Sequence, residues 1–122
     1  VGRLTYTVID IQWSRQLGDM SNVRIARDQF LLLRLNVTNG GGTALGIPLL
    51  KLIGPQQQAY PELEDCKELK DWLGLVRSVE PAATEDGWIA FDVPLAEYQL
   101  QVSSGELDNE ALALISLPMR MG

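Results

Sequence analysis

The chain has 122 residues, of which 46% are hydrophobic and 21% charged, and a formal net charge of −6. That length fits one domain, residues 1–122, which buries roughly two-thirds of its unfolded surface without help from a disulfide or metal. The ten Lys and Arg residues are scattered, so no basic patch exists to displace the counterions of a nucleic acid or to dock on an anionic membrane. With no histidine and a single cysteine, Cys66, the chain can form no His-based triad, Cys–His dyad, His-containing zinc site or intrachain disulfide.

The first segment, LTYTVIDIQW, carries Leu4, Tyr6 and Val8 on one parity and Ile9, Ile11 and Trp13 on the other. A plain strand cannot bury both sets on one face. A bulge at Val8–Ile9, or a strand whose halves serve two sheets, resolves the conflict. Residues 14–27 are polar and mixed, with Gly18-Asp19 as a turn signal, and read as a loop. Phe30 to Asn39 is the strongest strand signal. Leu31, Leu33, Leu35 and Val37 fall on one face, and Phe30, Leu32, Arg34, Asn36 and Thr38 on the other. Gly40-Gly41-Gly42 reverses the chain after it.

Ile47 to Ile53 is the next expected strand, with Pro48 near its start and Gly54-Pro55 at its end. Ala59-Tyr60 adds a short one. Residues 62–74 form the one helix candidate, a short helical turn with Leu69, Trp72 and Leu73 as its apolar stripe and Gly74 as its cap. Leu75 to Val79 reads as a strand, and Asp86-Gly87 as a turn. In WIAFDV, Ile89, Phe91 and Val93 face inward, while Trp88, Ala90 and Asp92 face outward. Tyr98, Leu100 and Val102 alternate in another strand. After an acidic loop, Ala111 to Leu117 form the last strand, ended by Pro118. About seven short strands separated by turns, with one short helical turn, predict an all-β antiparallel sandwich.

Candidate site residues are few. Trp13 and Trp88 are the candidates for an exposed or half-exposed recognition surface, whereas Trp72 is expected to anchor the helical turn. Asn39 closes the central strand and is expected to hydrogen-bond its own turn. Asn36-Val37-Thr38 matches a glycosylation acceptor, but it lies inside a strand. The runs Glu62, Glu64, Asp65, Glu68 and Glu106, Asp108, Glu110 lack calcium-loop grammar and read as solvated surface. Cys66 reads as an incidental thiol, although Lys67 and Lys70 could lower its pKa. No catalytic, cofactor-binding or metal-binding residue is expected.

Several phrases in order carry a resemblance: LTYTVIDIQW with LGD, FLLLRLNVTNGG, IPLLKLIGPQQQAYPEL, WLGLVRSVEPAATEDGWIAFDVP and YQLQVS. Together they resemble the telokin-like domain-of-unknown-function family of exported bacterial (lipo)proteins, related to a mycobacterial immunoprotective extracellular antigen. The matching positions are Leu33 to Asn39, Gln57 to Tyr60 and Pro81 to Pro94. Gln57 stands where the family has glycine. The resemblance implies an immunoglobulin-like sandwich and export to the cell envelope or outside, often as a lipoprotein whose acylated cysteine would lie upstream of Val1. The start at Val1 is that expected of a mature product. The resemblance implies no enzymatic activity. The expected function is a non-enzymatic extracytoplasmic binding or structural module with a protein or envelope partner. A small-ligand or metal-binding accessory domain is the alternative.

Overall fold

The computed structural model describes residues 3–18, 23–74, 77–104 and 111–117. Its strands are β1 (Leu4–Leu17), β2 (Arg24–Asn39), β3 (Leu45–Gly46), β4 (Lys51–Ile53), β5 (Ala59–Pro61), β6 (Ser78–Val79), β7 (Thr84–Val93), β8 (Gln99–Ser103) and β9 (Leu112–Ser116). One sheet has the order β1-β2-β7 and another the order β5-β4-β8-β9; β3 and β6 form a small third pair. All these pairings are antiparallel. The all-β antiparallel expectation holds.

The core follows the alternation of β2. Leu31, Leu33, Leu35 and Val37 are buried together with Ile89, Phe91 and Val93 of β7 and with Leu52, Leu100 and Val102 of the four-stranded sheet. One cluster thus takes side chains from two sheets, as a sandwich requires. Tyr6 and Val8, then Ile11 and Trp13, all pack against this cluster. A register shift between Val8 and Asp10 makes that possible, leaving Ile9 as the extra, exposed residue. The phase conflict in the sequence is therefore a bulge within one sheet.

The other face of β2 is also covered. Phe30, Leu32 and Ala90 pack with Leu17 and Cys66 in a second cluster, edged by Leu69, Trp72 and Trp88. The cover is residues 62–74, and among the described residues this segment is not a helix. Leu69 N–H donates to Cys66 O and Trp72 N–H to Leu69 O, at 3.0 and 3.3 Å, which makes single turns only. Asp71 has φ 59° and breaks the helical sense. The predicted stripe is split: Leu69 and Trp72 join the second cluster, while Leu73 packs on the main core. Beyond the turn, Trp88 N–H donates to Asp71 O at 2.9 Å and Leu73 N–H to Trp88 O at 3.0 Å. Leu63 N–H donates to Ala90 O at 2.8 Å. The segment is a strap along the outer edge of β7.

Four other expectations are corrected. Residues 14–27 do not form one loop: β1 runs to Leu17 and β2 begins at Arg24, with Gln16 opposite Ile25. This ribbon is mostly polar and even its Ile25 is exposed, so its alternation is weak, but the ladder continues past a second shift between Ser14 and Gln16. Ile47 to Leu50 are irregular, and only Lys51–Ile53 join the sheet. Asp86-Gly87 lies inside β7 opposite Asn36 and Leu35, and is no turn. Ala90 does not face solvent but is fully buried under the strap, while Trp88 beside it stays half-exposed. Strand Ser78–Val79 is present, but Leu75 and Val76, like the acidic residues 106–110, lie outside the described residues.

Candidate functional site

The two candidate tryptophans sit on opposite faces of the first sheet. Trp13 lies opposite Leu31, so it points to the main core. Its ring packs on Tyr98 at 6.4 Å between centroids, and Tyr98 meets Tyr60 edge-on at 5.8 Å. These three rings join β1 to the other sheet at one end of the sandwich. Trp88 lies opposite Arg34, on the other face, half-buried under the strap beside Trp72. The thickness of the sheet separates Trp13 from Trp88, and they do not share one surface.

Two clefts open beside β1. One, of about 380 Å³, lies between β1 and β9 and is lined by Tyr6, Val8, Ile11, Asp10, Ile115 and Leu117 among others. The other, of about 590 Å³, lies between the outer face of β1 and the turn of the strap. Leu17, Leu32 and Leu69 give it apolar lining, while Gln12, Gln16, Lys67 and Lys70 give it amides and ammonium groups. Glu68 also lines it. Its buried Oε2 has no hydrogen bond, although Arg24 Nη1 approaches to 3.7 Å. Volume and mixed lining suit a small polar ligand with an apolar part. Sequence reading missed this cleft because one wall is the β1–β2 extension that reads as loop.

The buried polar groups serve the fold. Asn39 is fully buried. Its Nδ2 donates to Thr43 O and Val79 O at 2.7 and 2.9 Å, and its Oδ1 accepts from Gly41 N–H at 2.8 Å. This is the turn-fixing role expected of it, reached without a left-handed backbone. Glu62 and Arg77 form a buried ion pair that reading by segments did not anticipate. Arg77 Nε donates to Ile47 O at 3.0 Å, Nη1 to Glu62 Oε2 at 3.1 Å, and Nη2 to Pro48 O and Glu62 Oε1. Glu62 Oε1 also accepts from Leu50 N–H at 2.7 Å. In the irregular residues 47–50 this pair satisfies Ile47 O, Pro48 O and Leu50 N–H, and the main chain of the same two residues takes Ile47 N–H and Leu50 O.

Cys66 is buried, and that burial pushes its thiol up to about 11, against the opposing pull of Arg24. Lys67 and Lys70 do not activate it. Among the described residues, no three His, Cys, Asp or Glu side chains converge as a metal site would need. No helix among them is long and apolar enough to cross a membrane.

No protein-family model matches the sequence, and no curated protein does. Solved structures do match in fold. The YjhA protein of Bacillus subtilis superposes with a TM-score of 0.72 at 13% identity, over 96% of this chain and 93% of that one. A conserved hypothetical protein of Bacillus anthracis gives 0.63 at 11% identity, over 92% and 88%. An uncharacterized β-sandwich protein of Clostridium difficile gives 0.52 at 14% identity, over 93% and 86%. The chain shares the β-sandwich fold of these bacterial proteins.

Proposed function

We propose that the chain is an immunoglobulin-like, telokin-like module of a bacterial cell envelope, exported and either secreted or held by a lipid anchor upstream. Its role is binding or structural, with a protein or envelope component as partner, and it catalyses no reaction. The observation that carries this reading is the use of the buried polar side chains. Asn39 and the Glu62–Arg77 pair are tied into turns and irregular backbone, while apolar Ile25, Leu112 and Leu114 stay exposed on strands. Such a molecule offers surfaces for contact. The ordered phrases that resemble the telokin-like family, and the whole-length likeness to bacterial β-sandwiches, support the setting.

The test is protease shaving of intact producing cells, followed by fractionation. An exported module is digested or released from outside. Protection until the cytoplasmic membrane is broken overturns the envelope reading. The alternative, a small-ligand or metal-binding accessory domain, draws support from the 590 Å³ cleft and the unbonded Glu68 oxygen within it. A thermal-shift panel of sugars, peptides and divalent cations separates the two. A large rise in Tm with one small ligand, abolished by Glu68→Ala, favours the accessory domain.

A further inference from the structure

The strap of residues 62–74 is held firmly at its two ends and loosely in between. At one end Leu63 N–H donates to Ala90 O, and Arg77 fixes the Glu62 carboxylate. At the other, Asp71 O accepts from Trp88 N–H, Leu73 N–H donates to Trp88 O, and the Leu73 side chain packs on the main core. Between these anchors, among the described residues, the main chain of residues 64–70 makes no hydrogen bond to the main chain of either sheet. Its two backbone bonds, Leu69 N–H to Cys66 O and Trp72 N–H to Leu69 O, close turns within the strap.

The polar tie between this segment and the sandwich is one side chain, Arg24, the first residue of β2. Its Nη1 donates to Asp65 O at 2.7 Å and its Nη2 to Asp65 Oδ1 at 3.2 Å, and Nη1 lies 3.7 Å from Glu68 Oε2. The guanidinium also sits over the Phe30 ring, 6.0 Å from its centroid. The remaining hold is apolar. Of residues 64–70, Cys66 and Leu69 reach the second cluster, where they meet Leu17, Phe30, Leu32 and Ala90. The closed arrangement is also incompletely satisfied. Among the described residues, the buried side-chain atoms without a hydrogen bond are Glu68 Oε2 and Trp72 Nε1, and both belong to the strap. A buried polar atom left unbonded opposes the state that buries it.

We propose that residues 64–70 are a lid, hinged at Leu63 and Asp71 and latched by Arg24, which lifts while the sandwich stays folded. Lifting breaks the contacts of one guanidinium and withdraws two side chains from the second cluster. That is far less than the separation of two sheets, so the lid opens below the free energy of global unfolding. It also returns the unbonded Glu68 oxygen to water, which offsets part of the cost. What the lid controls is the 590 Å³ cleft. Lys67, Glu68, Leu69 and Lys70 form one wall, and the other is the outer face of β1, fixed by its ladder to β2. The lid is therefore the movable wall. Raised, it frees Leu17 and Leu32, which are buried at the floor of that cleft. The device holds whether the cleft admits a small ligand or the surface meets an envelope partner.

Cys66 lies on the lid and is fully buried, so its labelling by an aromatic disulfide reagent reads the opening. The folded chain should be labelled faster than global unfolding permits. The rate should be nearly independent of urea well below the unfolding midpoint, because lifting the lid exposes little surface. Arg24→Met keeps an apolar stem over Phe30 and removes the latch, and labelling should rise by about tenfold or more. Arg24→Lys keeps the charge but loses the forked contact, and should fall between. Arg34→Ala removes an exposed ion pair elsewhere on β2 and should leave the rate as it is. Labelling that tracks global unfolding at every urea concentration overturns the inference. So does an Arg24→Met rate equal to that of the wild type, or one raised only as far as that variant's lower unfolding midpoint accounts for.

Discussion

Adjacent residues of β2 have opposite environments, and that contrast sets the first prediction. Leu35 is fully buried among side chains from both sheets, whereas Arg34 is exposed and pairs with Asp86 at 2.9 Å. Leu35→Asp places an unpaired carboxylate in the core. That costs several kcal/mol, comparable with the whole stability of a small domain, about 5–15 kcal/mol. The variant should lack a cooperative urea transition, while Arg34→Ala should unfold with the wild type. Equal tolerance of both would refute the face assignment. The Glu62–Arg77 pair makes a second prediction. Arg77→Met strands a buried carboxylate and leaves Ile47 O and Pro48 O without their donor. A loss of about 3–5 kcal/mol in urea denaturation is expected. The double variant Glu62→Leu/Arg77→Met removes the stranded charge and should recover part of that loss. Recovery stays incomplete because Leu50 N–H and the two carbonyls still lack partners. Simple addition of the two single losses would show that the pair is not coupled.

At the scale of elements, the strap decides how β7 is built, and Gly87 is where they meet. A Cβ on Gly87 would lie 2.7 Å from Leu73 Cδ2 and 2.9 Å from Asp71 O. The second atom is backbone and cannot swing aside. Gly87→Ala should cost about 1–3 kcal/mol and loosen the strap, exposing Trp72 and Trp88. A red shift of tryptophan emission, ahead of global unfolding in urea, is the expected reading. An unchanged spectrum and urea midpoint would mean that the strap does not depend on this contact. The same glycine shows why part of the fold was legible in sequence and part was not. Asp86-Gly87 has the composition of a hairpin turn, but the glycine is needed for a neighbour distant in sequence, and no local pattern reveals that. The strap misleads for a related reason: its Leu69, Trp72 and Leu73 have helical spacing, yet they serve two different clusters. Where one face meets one core, as in Leu31 to Val37 or Ile89 to Val93, alternation gave the answer. The phase conflict at Val8–Ile9 was legible, but it has two physical solutions, and only the register shift in the structure decides for the bulge. The β1–β2 extension and the cleft beside it were not legible, because polar residues leave no alternation to read.

For the whole molecule, the question is what keeps the two sheets together, and alkaline pH offers a way to ask it. Tyr6 of β1 donates its hydroxyl to Ser103 O of β8 at 2.7 Å, a direct bond between the sheets. Burial pushes the Tyr6 hydroxyl from its ordinary value of 10.0 up to about 12, with Arg77 opposing and Glu62 adding. Burial, followed by the neighbouring Tyr60, takes Tyr98 to about 12 as well, and burial takes Cys66 from 9.0 to about 11. In each case the folded chain holds a proton that the unfolded chain releases at lower pH. Below pH 9 both states are protonated at these groups, and their contribution is complete. From about pH 9 to 12 the unfolded state binds fewer protons, so stability falls as pH rises. Urea midpoints measured across that range should decline, starting near the ordinary cysteine value and steepening through the tyrosine values. Tyr6→Phe removes one of the protons and should flatten the upper part of the decline, while lowering stability at neutral pH by about 1 kcal/mol for the lost inter-sheet bond. Cys66→Ala should flatten the onset near pH 9 and leave the tyrosine region alone. A Tyr6→Phe curve parallel to the wild type up to pH 12 would mean that Tyr6 ionises as freely in the folded chain as in the unfolded one. The sheets would then be open to solvent along β1, and the Tyr6–Ser103 bond could not be what closes them.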